Sequence, residues 1–331
     1  MKNILVIGLG SIGRRHAKVF RNLGHEIFGV DNREDRILQA KEEIDIKSTS
    51  SNIDEIIEKY KLDAALICTP PNSHTEIALK LAKNKINIFV EKPLANNESK
   101  LDELSNLCEI NDVVFYTAYC YRFIPSLQKV KKLLSEDVIG KIFSLRLQIS
   151  SYLPDWHPWE DYRNFYMAHA DQGGGALLDE SHGIDLLRWL FGEIQSLSAY
   201  VGKVSNLEIN SDDLAVLNLK FKSGIIGEAH FDLLGRSPRI GLELIGEEGT
   251  LIWDRIEPKI SIYSSKENKW TTEEFDKSDF VTSYDLQAKH FLDCLDKKVK
   301  PITSLQDGVN TLKVLTAAFK SSEEKRFIDI K

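Results

Sequence analysis

From Met1 to about residue 120, short apolar runs alternate with amphipathic stretches. Asn3–Ile7, Glu26–Val30, Ala64–Cys68, Ile86–Val90 and Val113–Thr117 read as strands, and a continuous apolar run of this length suits a strand covered on both faces. Between them, Ile12–Leu23 sets Ile12, His16, Val19, Phe20 and Leu23 on one side of a helix. Asn52–Tyr60 opens on a polar cap, and Thr75–Lys83 and Glu98–Glu109 also carry helical patterns. This alternation predicts right-handed crossovers and a doubly wound parallel sheet.

After Tyr121 the rhythm changes. A helix over Ser126–Leu134 leads into Lys141–Ser151, which alternates as a strand exposed on one face. An aromatic, proline-containing loop follows over Tyr152–Tyr166, then one helix from Ala176 to Leu190. Several strands run from Ile194 to about Ser264, and helical patterns around Ser283–Leu295 and Leu305–Phe319 close the chain. Strands followed by helices predict an α+β domain on a large mixed or antiparallel open sheet.

A length of 331 residues suits two domains, 1–120 and 121–331, with the closing helix able to pack back on the first. The 15 Phe, 10 Tyr and 5 Trp argue against disorder. A net charge of −7 argues against a nucleic-acid partner, whose phosphates call for a basic face. No apolar run has the length of a membrane span, and the first apolar stretch is cut by glycines and Arg14-Arg15, unlike a signal-peptide core. Cys68, Cys108, Cys120 and Cys294 have neither metal-ligand nor disulfide-framework spacing, so a reduced cytoplasm is expected.

Gly8-Leu9-Gly10-Ser11-Ile12-Gly13 stands between the first strand and the first helix. In that context Gly8 makes the tight turn, Gly10 lets the backbone approach a pyrophosphate, and Gly13 allows close helix–strand packing. The helix N-terminus, at Ser11 and Ile12, supplies donors and a positive dipole. Asp31 ends the second strand, eighteen residues past Gly13, where a carboxylate accepts hydrogen bonds from a ribose diol. It favours NAD over NADP, whereas Arg33 leaves NADP open.

With these glycines and His16, Cys68-Thr69-Pro70-Pro71-Asn72-Ser73-His74 and Glu91-Lys92-Pro93 resemble the Gfo/Idh/MocA family, the glucose–fructose oxidoreductase and inositol dehydrogenase relatives. Ala118-Tyr119-Cys120-Tyr121-Arg122-Phe123 resembles that family's Gly-Tyr-Asn-x-Arg-Phe segment, with Ala and Cys replacing Gly and Asn. Gly173-Gly174-Gly175 through Asp179, His182 and Asp185 resembles its second-domain signature, and Gly246–Leu251 its later turn. The ordered set covers nearly the whole chain. It implies a Rossmann domain, a sheet domain often used for oligomerisation, and nicotinamide-dependent oxidation or reduction of sugars, cyclitols and related polyols. It implies that Thr69, Pro70, Asn72 and His74 lie along the cofactor, with Glu91 and Lys92 at the nicotinamide end. Lys92, Tyr119 and Arg122 are then expected at the substrate. Without the family, Lys92 still stands at the carboxyl end of a parallel strand, where ligands of open α/β sheets bind and a half-buried amine can donate to a hydroxyl oxygen. Sequence leaves open whether Pro93 is cis.

In a helix over Ala176–Leu190, Asp179, His182 and Asp185 follow at i, i+3 and i+6, with the acids about 60° to either side of the imidazole. A carboxylate there fixes the tautomer that a general base needs. The family more often spaces its acid and histidine four apart, so either Asp179 or Asp185 is left as the partner. The expected catalytic set is Lys92, His182 and Asp179.

The loop Ser151–Arg163 combines aromatics with acids and an arginine, which complement the CH faces and hydroxyls of a sugar ring. Asp155, Trp156 and Arg163 are its substrate candidates. An ordered lid or an oligomer-contact loop explains the same composition. His157 lacks a second ligand at suitable spacing, so no metal is expected.

These readings converge on an oxidoreductase moving hydride between NAD and a secondary alcohol or ketone of a sugar, amino sugar, nucleotide-sugar or cyclitol. The alternatives are a reductase of a non-sugar carbonyl or imine, and a catalytically idle dinucleotide-binding sensor or scaffold. The exposed sheet predicts a homodimer or homotetramer.

Overall fold

The computed structural model describes every residue except His157, Trp159 and Lys331. The histidine weighed above as a metal ligand therefore lies outside the described residues. Two compact units emerge: Met1–Tyr119 with Tyr284–Val309, and Cys120–Ser283 with Asn310–Lys331.

The first unit runs β1 (Asn3–Ile7), α1 (Ser11–Asn22), β2 (Glu26–Val30), α2 (Glu34–Glu43), β3 (Ile46–Ser50), α3 (Ile53–Lys59), β4 (Ala64–Ile67), α4 (His74–Lys83), β5 (Asn87–Val90), α5 (Leu101–Ile110) and β6 (Phe115–Thr117). Among the described residues its sheet has six strands, all parallel, in the order β3-β2-β1-β4-β5-β6. Ile4, Leu5 and Val6 of β1 are fully buried, as are Ala64–Ile67 of β4, because helices cover both faces. The order reverses between β1 and β4. Their carboxyl ends open the crevice in which such sheets take ligands.

The second unit begins with α6 (Pro125–Ser135), β7 (Ile142–Tyr152), α7 (Ala176–Asp179) and α8 (Ser181–Phe191). It continues with β8 (Ile194–Gly202), β9 (Leu214–Phe221), β10 (Ile226–Asp232), β11 (Leu234–Gly246), β12 (Gly249–Asp254), β13 (Lys259–Ser264) and β14 (Lys269–Glu274). After α9 (Asp279–Leu295) and α10 (Leu305–Glu324), β15 (Ile328–Asp329) pairs with β8. The described strands make a nine-stranded mixed sheet in which only the β7–β10 pair is parallel. Leu145, Leu147, Ile149, Leu217, Leu219, Ala229 and Phe231 fill its covered face. Their alternates, including Arg146, Glu228 and Asn218, are exposed on the other.

Ala176–Leu190 is not one helix: the chain leaves helical geometry at Glu180 (φ −88°, ψ 25°) and restarts at Ser181. α7 is tied at its start by Asp212, whose carbonyl accepts from Ala176 N–H and whose carboxylate accepts from Leu177 N–H, both at 2.9 Å. α8 is seated separately, with Gly183 so close to Phe231 and Leu147 that a Cβ would stand 2.6 Å from the Phe231 ring. Two separate attachments override the continuous helical pattern.

Candidate active site

In the first unit the β1–α1 turn shows why its glycines are needed. Gly8 has φ +92°, and a Cβ on Gly13 would lie 1.8 Å from the Gly8 carbonyl oxygen. α1 starts behind Gly10 with no side-chain cap, so its first N–H groups are left for a ligand. Asp31 is 5% exposed; its Oδ2 accepts from Leu9 N–H at 2.7 Å and its Oδ1 from Arg33 N–H at 2.9 Å. A carboxylate offers about four lone-pair directions, so acceptor capacity remains for a diol. Arg33 itself is largely exposed and pairs with Asp35. Arg36 is the cation nearer the turn, 4.0 Å from Asp31 and beside Gly10. Sequence reasoning missed it because its helix, α2, has only a weak apolar face.

Beyond β4, Thr69 Oγ1 lies 2.7 Å from Ser73 Oγ, which donates to the Pro70 carbonyl, and Asn72 is exposed on the same turn. His74 is 1% exposed, with Nε2 at 2.8 Å from the Thr69 carbonyl and Nδ1 at 3.0 Å from the Pro93 carbonyl. Burial holds this imidazole below its ordinary pKa, against the opposing pull of those carbonyls and of Glu91. Its nitrogens thus join two loops of the protein.

At the end of β5, Glu91 is 8% exposed, with Oε1 at 2.6 Å from His16 Nε2 and Oε2 accepting from Lys92 N–H at 3.1 Å. Burial alone would raise the Glu91 carboxyl; the hydrogen bond and charge of His16, with those of Lys92, more than offset it and hold the group below the usual range. The Lys92–Pro93 bond is cis, and Lys92 is half-buried. Burial, and then the Glu91 charge, push the neighbouring Cys68 thiol far up, so it stays a thiol. Tyr119 closes this unit and is fully buried.

In the second unit His182 is half-buried and stacked flat on Tyr121, ring centroids 4.6 Å apart and planes 3° from parallel. Its Nε2 lies 3.9 Å from Cys120 Sγ. Arg255 fixes the far end of Tyr121 by a 2.9 Å hydrogen bond to its hydroxyl. Of the two acids considered for His182, Asp185 is fully buried and takes a two-pronged contact from Arg122, at 2.9 and 2.6 Å. This contact also gives Arg122, 5% exposed, a structural partner where a substrate contact was expected. Asp179 is 4% exposed and accepts from the Tyr166 hydroxyl. Tyr121, Tyr166 and Arg255 escaped the sequence reading, because only the fold brings them to these partners.

The aromatic loop divides. Asp155 is exposed, and Trp156 is half-buried with its indole N–H donated to Ser151 Oγ at 2.9 Å. Arg163 is bound up with Asp161 and Glu208 at the surface.

Residues 2–119 match the family model described as an oxidoreductase family, NAD-binding Rossmann fold, and residues 131–330 match the C-terminal alpha/beta domain of the same family. The chain belongs to the Gfo/Idh/MocA oxidoreductase family. The first unit of this Gfo/Idh/MocA protein is its NAD-binding Rossmann domain, and the uncapped α1 N-terminus with Asp31 beside it fits that dinucleotide. The chain is 29% identical to the myo-inositol 2-dehydrogenase of Thermotoga maritima, over 98% of its own length and 97% of that protein's. It is equally similar, 29%, to the scyllo-inositol 2-dehydrogenase (NAD(+)) of Bacillus subtilis, over 96% and 92% of the two chains. A levoglucosan dehydrogenase solved with NADH and levoglucosan shares the fold, with a TM-score of 0.88, 20% identity and 99% of each chain covered. Among the described residues no helix is long and apolar enough to cross a membrane.

Proposed function

We propose that this chain is an NAD-dependent dehydrogenase that oxidises a ring hydroxyl of a cyclitol or sugar, or reduces the matching ketone. The observation that carries this reading is the end-to-end likeness to two inositol dehydrogenases, at 29% identity each. The other two readings, a reductase of non-sugar carbonyls or imines and an idle sensor, are not favoured by these relatives.

When bound, NAD supplies the hydride acceptor. The chain's own work is to hold the dinucleotide and move the hydroxyl proton. Asp31 would take the adenine ribose hydroxyls, and the first N–H groups of α1 the pyrophosphate. Thr69, Pro70 and Asn72 would line the nicotinamide half. A carbinol carbon gives up hydride only as its hydroxyl proton leaves, so a base must stand within about 3 Å of that oxygen. His182 is the assigned base, because an unperturbed imidazole titrates at about 6.5, near working pH. The flat stack on Tyr121 supports that role, since a held ring plane keeps the imidazole nitrogens aimed in one direction. Lys92 would donate to the oxygen and stabilise its developing negative charge. With Asp185 committed to Arg122, Asp179 is the acid left to act with the histidine, and Tyr166 orients it. Asp155 and Trp156 would meet the ring.

A panel of inositols, sugars, amino sugars and nucleotide-sugars offered with NAD+ and with NADP+, and of imines and aliphatic ketones offered with NADH and with NADPH, all followed by nicotinamide absorbance, tests this reading. Reduction of NAD+ by a ring polyol is the expected result. Activity on none of these, with turnover of an imine or an aliphatic ketone instead, would refute it.

A further inference from the structure

His16 is tied directly to the residue that precedes Lys92. It stands on α1, 1% exposed, three residues past the last glycine of the dinucleotide turn. Phe89 and Tyr284 wall its ring edge-on, with centroids at 5.1 and 5.8 Å. Its Nδ1 is buried with no hydrogen-bond partner among the described residues, so its one polar engagement is Nε2 on Glu91 Oε1 at 2.6 Å. A carboxylate can only accept, so this bond puts a proton on Nε2.

A buried carboxylate that loses its donor is costly, which makes the His16–Glu91 pair a fixed joint between α1 and the end of β5. The other Glu91 oxygen holds the Lys92 N–H at 3.1 Å, so the joint continues into the lysine's own backbone. On the other side of Lys92, the Pro93 carbonyl rests on His74. If His16 served only to fill the core, a phenylalanine there would do as well, since its neighbours are aromatic. The short bond to Glu91 is what phenylalanine cannot make.

We propose that His16, acting through Glu91, is a positioning residue that fixes the backbone of Lys92 and the negative charge beside it, coupling the dinucleotide turn to the substrate-binding lysine. The coupling matters for chemistry only in so far as Lys92 has the role given under Proposed function, on which this proposal rests.

The first measurement needs no substrate. Trace acetylation by acetic anhydride at fixed alkaline pH, read by peptide mass spectrometry, gives the rate of Lys92 relative to exposed Lys61 and Lys83. Freed of a fixed neighbouring carboxylate, the amine is less often protonated, so His16→Phe and Glu91→Gln should each raise the relative rate about threefold. His16→Gln, whose amide can still donate to Glu91, should bring it back towards the parent value. An unchanged or slower relative rate in His16→Phe overturns the proposal, and so does an equal rise at half-buried Lys80, which general loosening of the first unit would give. Should His16→Phe not fold, Glu91→Gln set against His16→Gln makes the same comparison. Turnover separates the two claims. His16→Phe should cost about tenfold in the parent and nothing further in Lys92→Ala, and an equal loss in both backgrounds overturns the coupling. Normal turnover of Lys92→Ala overturns the role of the lysine, not the joint that labelling reads.

Discussion

Asp31 braces the glycine turn through Leu9 N–H, and under the proposed function the same carboxylate would present a negative charge where a 2′-phosphate would sit. Asp31→Asn separates the two roles, since an amide oxygen can still accept from Leu9. That variant should lose roughly tenfold in NAD(H) affinity and narrow the gap to NADP(H), as titrated by nicotinamide fluorescence. Tighter NADP(H) binding by the parent protein would reverse the cofactor assignment. His182→Ala and Lys92→Ala should each lower turnover by about 10²-fold or more and leave NAD(H) affinity largely intact. Near-normal turnover in His182→Ala would move the base role to Lys92. Asp31 and Lys92 could be singled out in the sequence because motif order places them at strand ends, and His182 because the second-domain signature carries it. The partners that hold them were not. The contacts Glu91–His16, Asp185–Arg122 and Asp179–Tyr166 join positions 75, 63 and 13 residues apart, and periodicity carries no signal for such pairs.

α7 is a single turn, and its start rests on Asp212. Burial pushes this carboxyl up to about 6; the hydrogen bonds from Leu177 and Ala176 oppose the rise and the charge of Asp213 adds to it. Between about pH 4 and 6 the folded chain keeps a proton that the unfolded chain has released, so this group's contribution to stability falls as pH rises through that window. The effect is worth up to about 3 kcal/mol. Asp212→Asn keeps an acceptor for Leu177 N–H and has no charge to bury. Its melting temperature relative to the parent should therefore climb from pH 4 to pH 7, and a flat difference would remove Asp212 as the cause. The strands of the first unit were readable because burial on both faces leaves continuous apolar runs. β3, with the sequence Ile-Lys-Ser-Thr-Ser at the sheet edge, and α2, with one buried residue, carry little apolar signal and were missed. The break at Glu180 was missed for a different reason: it is set by where α7 and α8 are attached, and the local pattern runs straight through it.

Among the described residues, one face of the nine-stranded sheet is exposed. On it Ile226 and Glu228 stand beside Ser144 and Arg146 on one neighbour and Lys220 and Asn218 on the other, with Arg146 held between Glu228 and Glu243. A broad face of this kind, with Ile226 and Tyr200 each 52% exposed, is the surface expected to pair between copies as a homodimer or homotetramer. Light scattering at micromolar concentration should give at least a dimer mass, and Arg146→Glu, which gathers three acids at one point, should lower it. A monomer mass for the parent would contradict the expectation. At this scale fold class and two-domain order were legible from the change of rhythm near Tyr121. The sharing of the closing helices was not, because helical periodicity does not say which sheet a helix serves. The last helix was expected to be able to pack back on the first domain, whereas Tyr284–Val309, most of α9 and the start of α10, falls to the first unit and the rest of α10 to the second. The central claim is that hydride passes directly between a ring carbinol carbon and nicotinamide while the chain takes the proton. A myo-inositol or sugar substrate of the parent enzyme, deuterated at the reacting carbon, tests it when turned over with NAD+ and the reduced dinucleotide is weighed by mass spectrometry. One deuterium per molecule of NADH is the predicted result; unlabelled NADH would contradict the account.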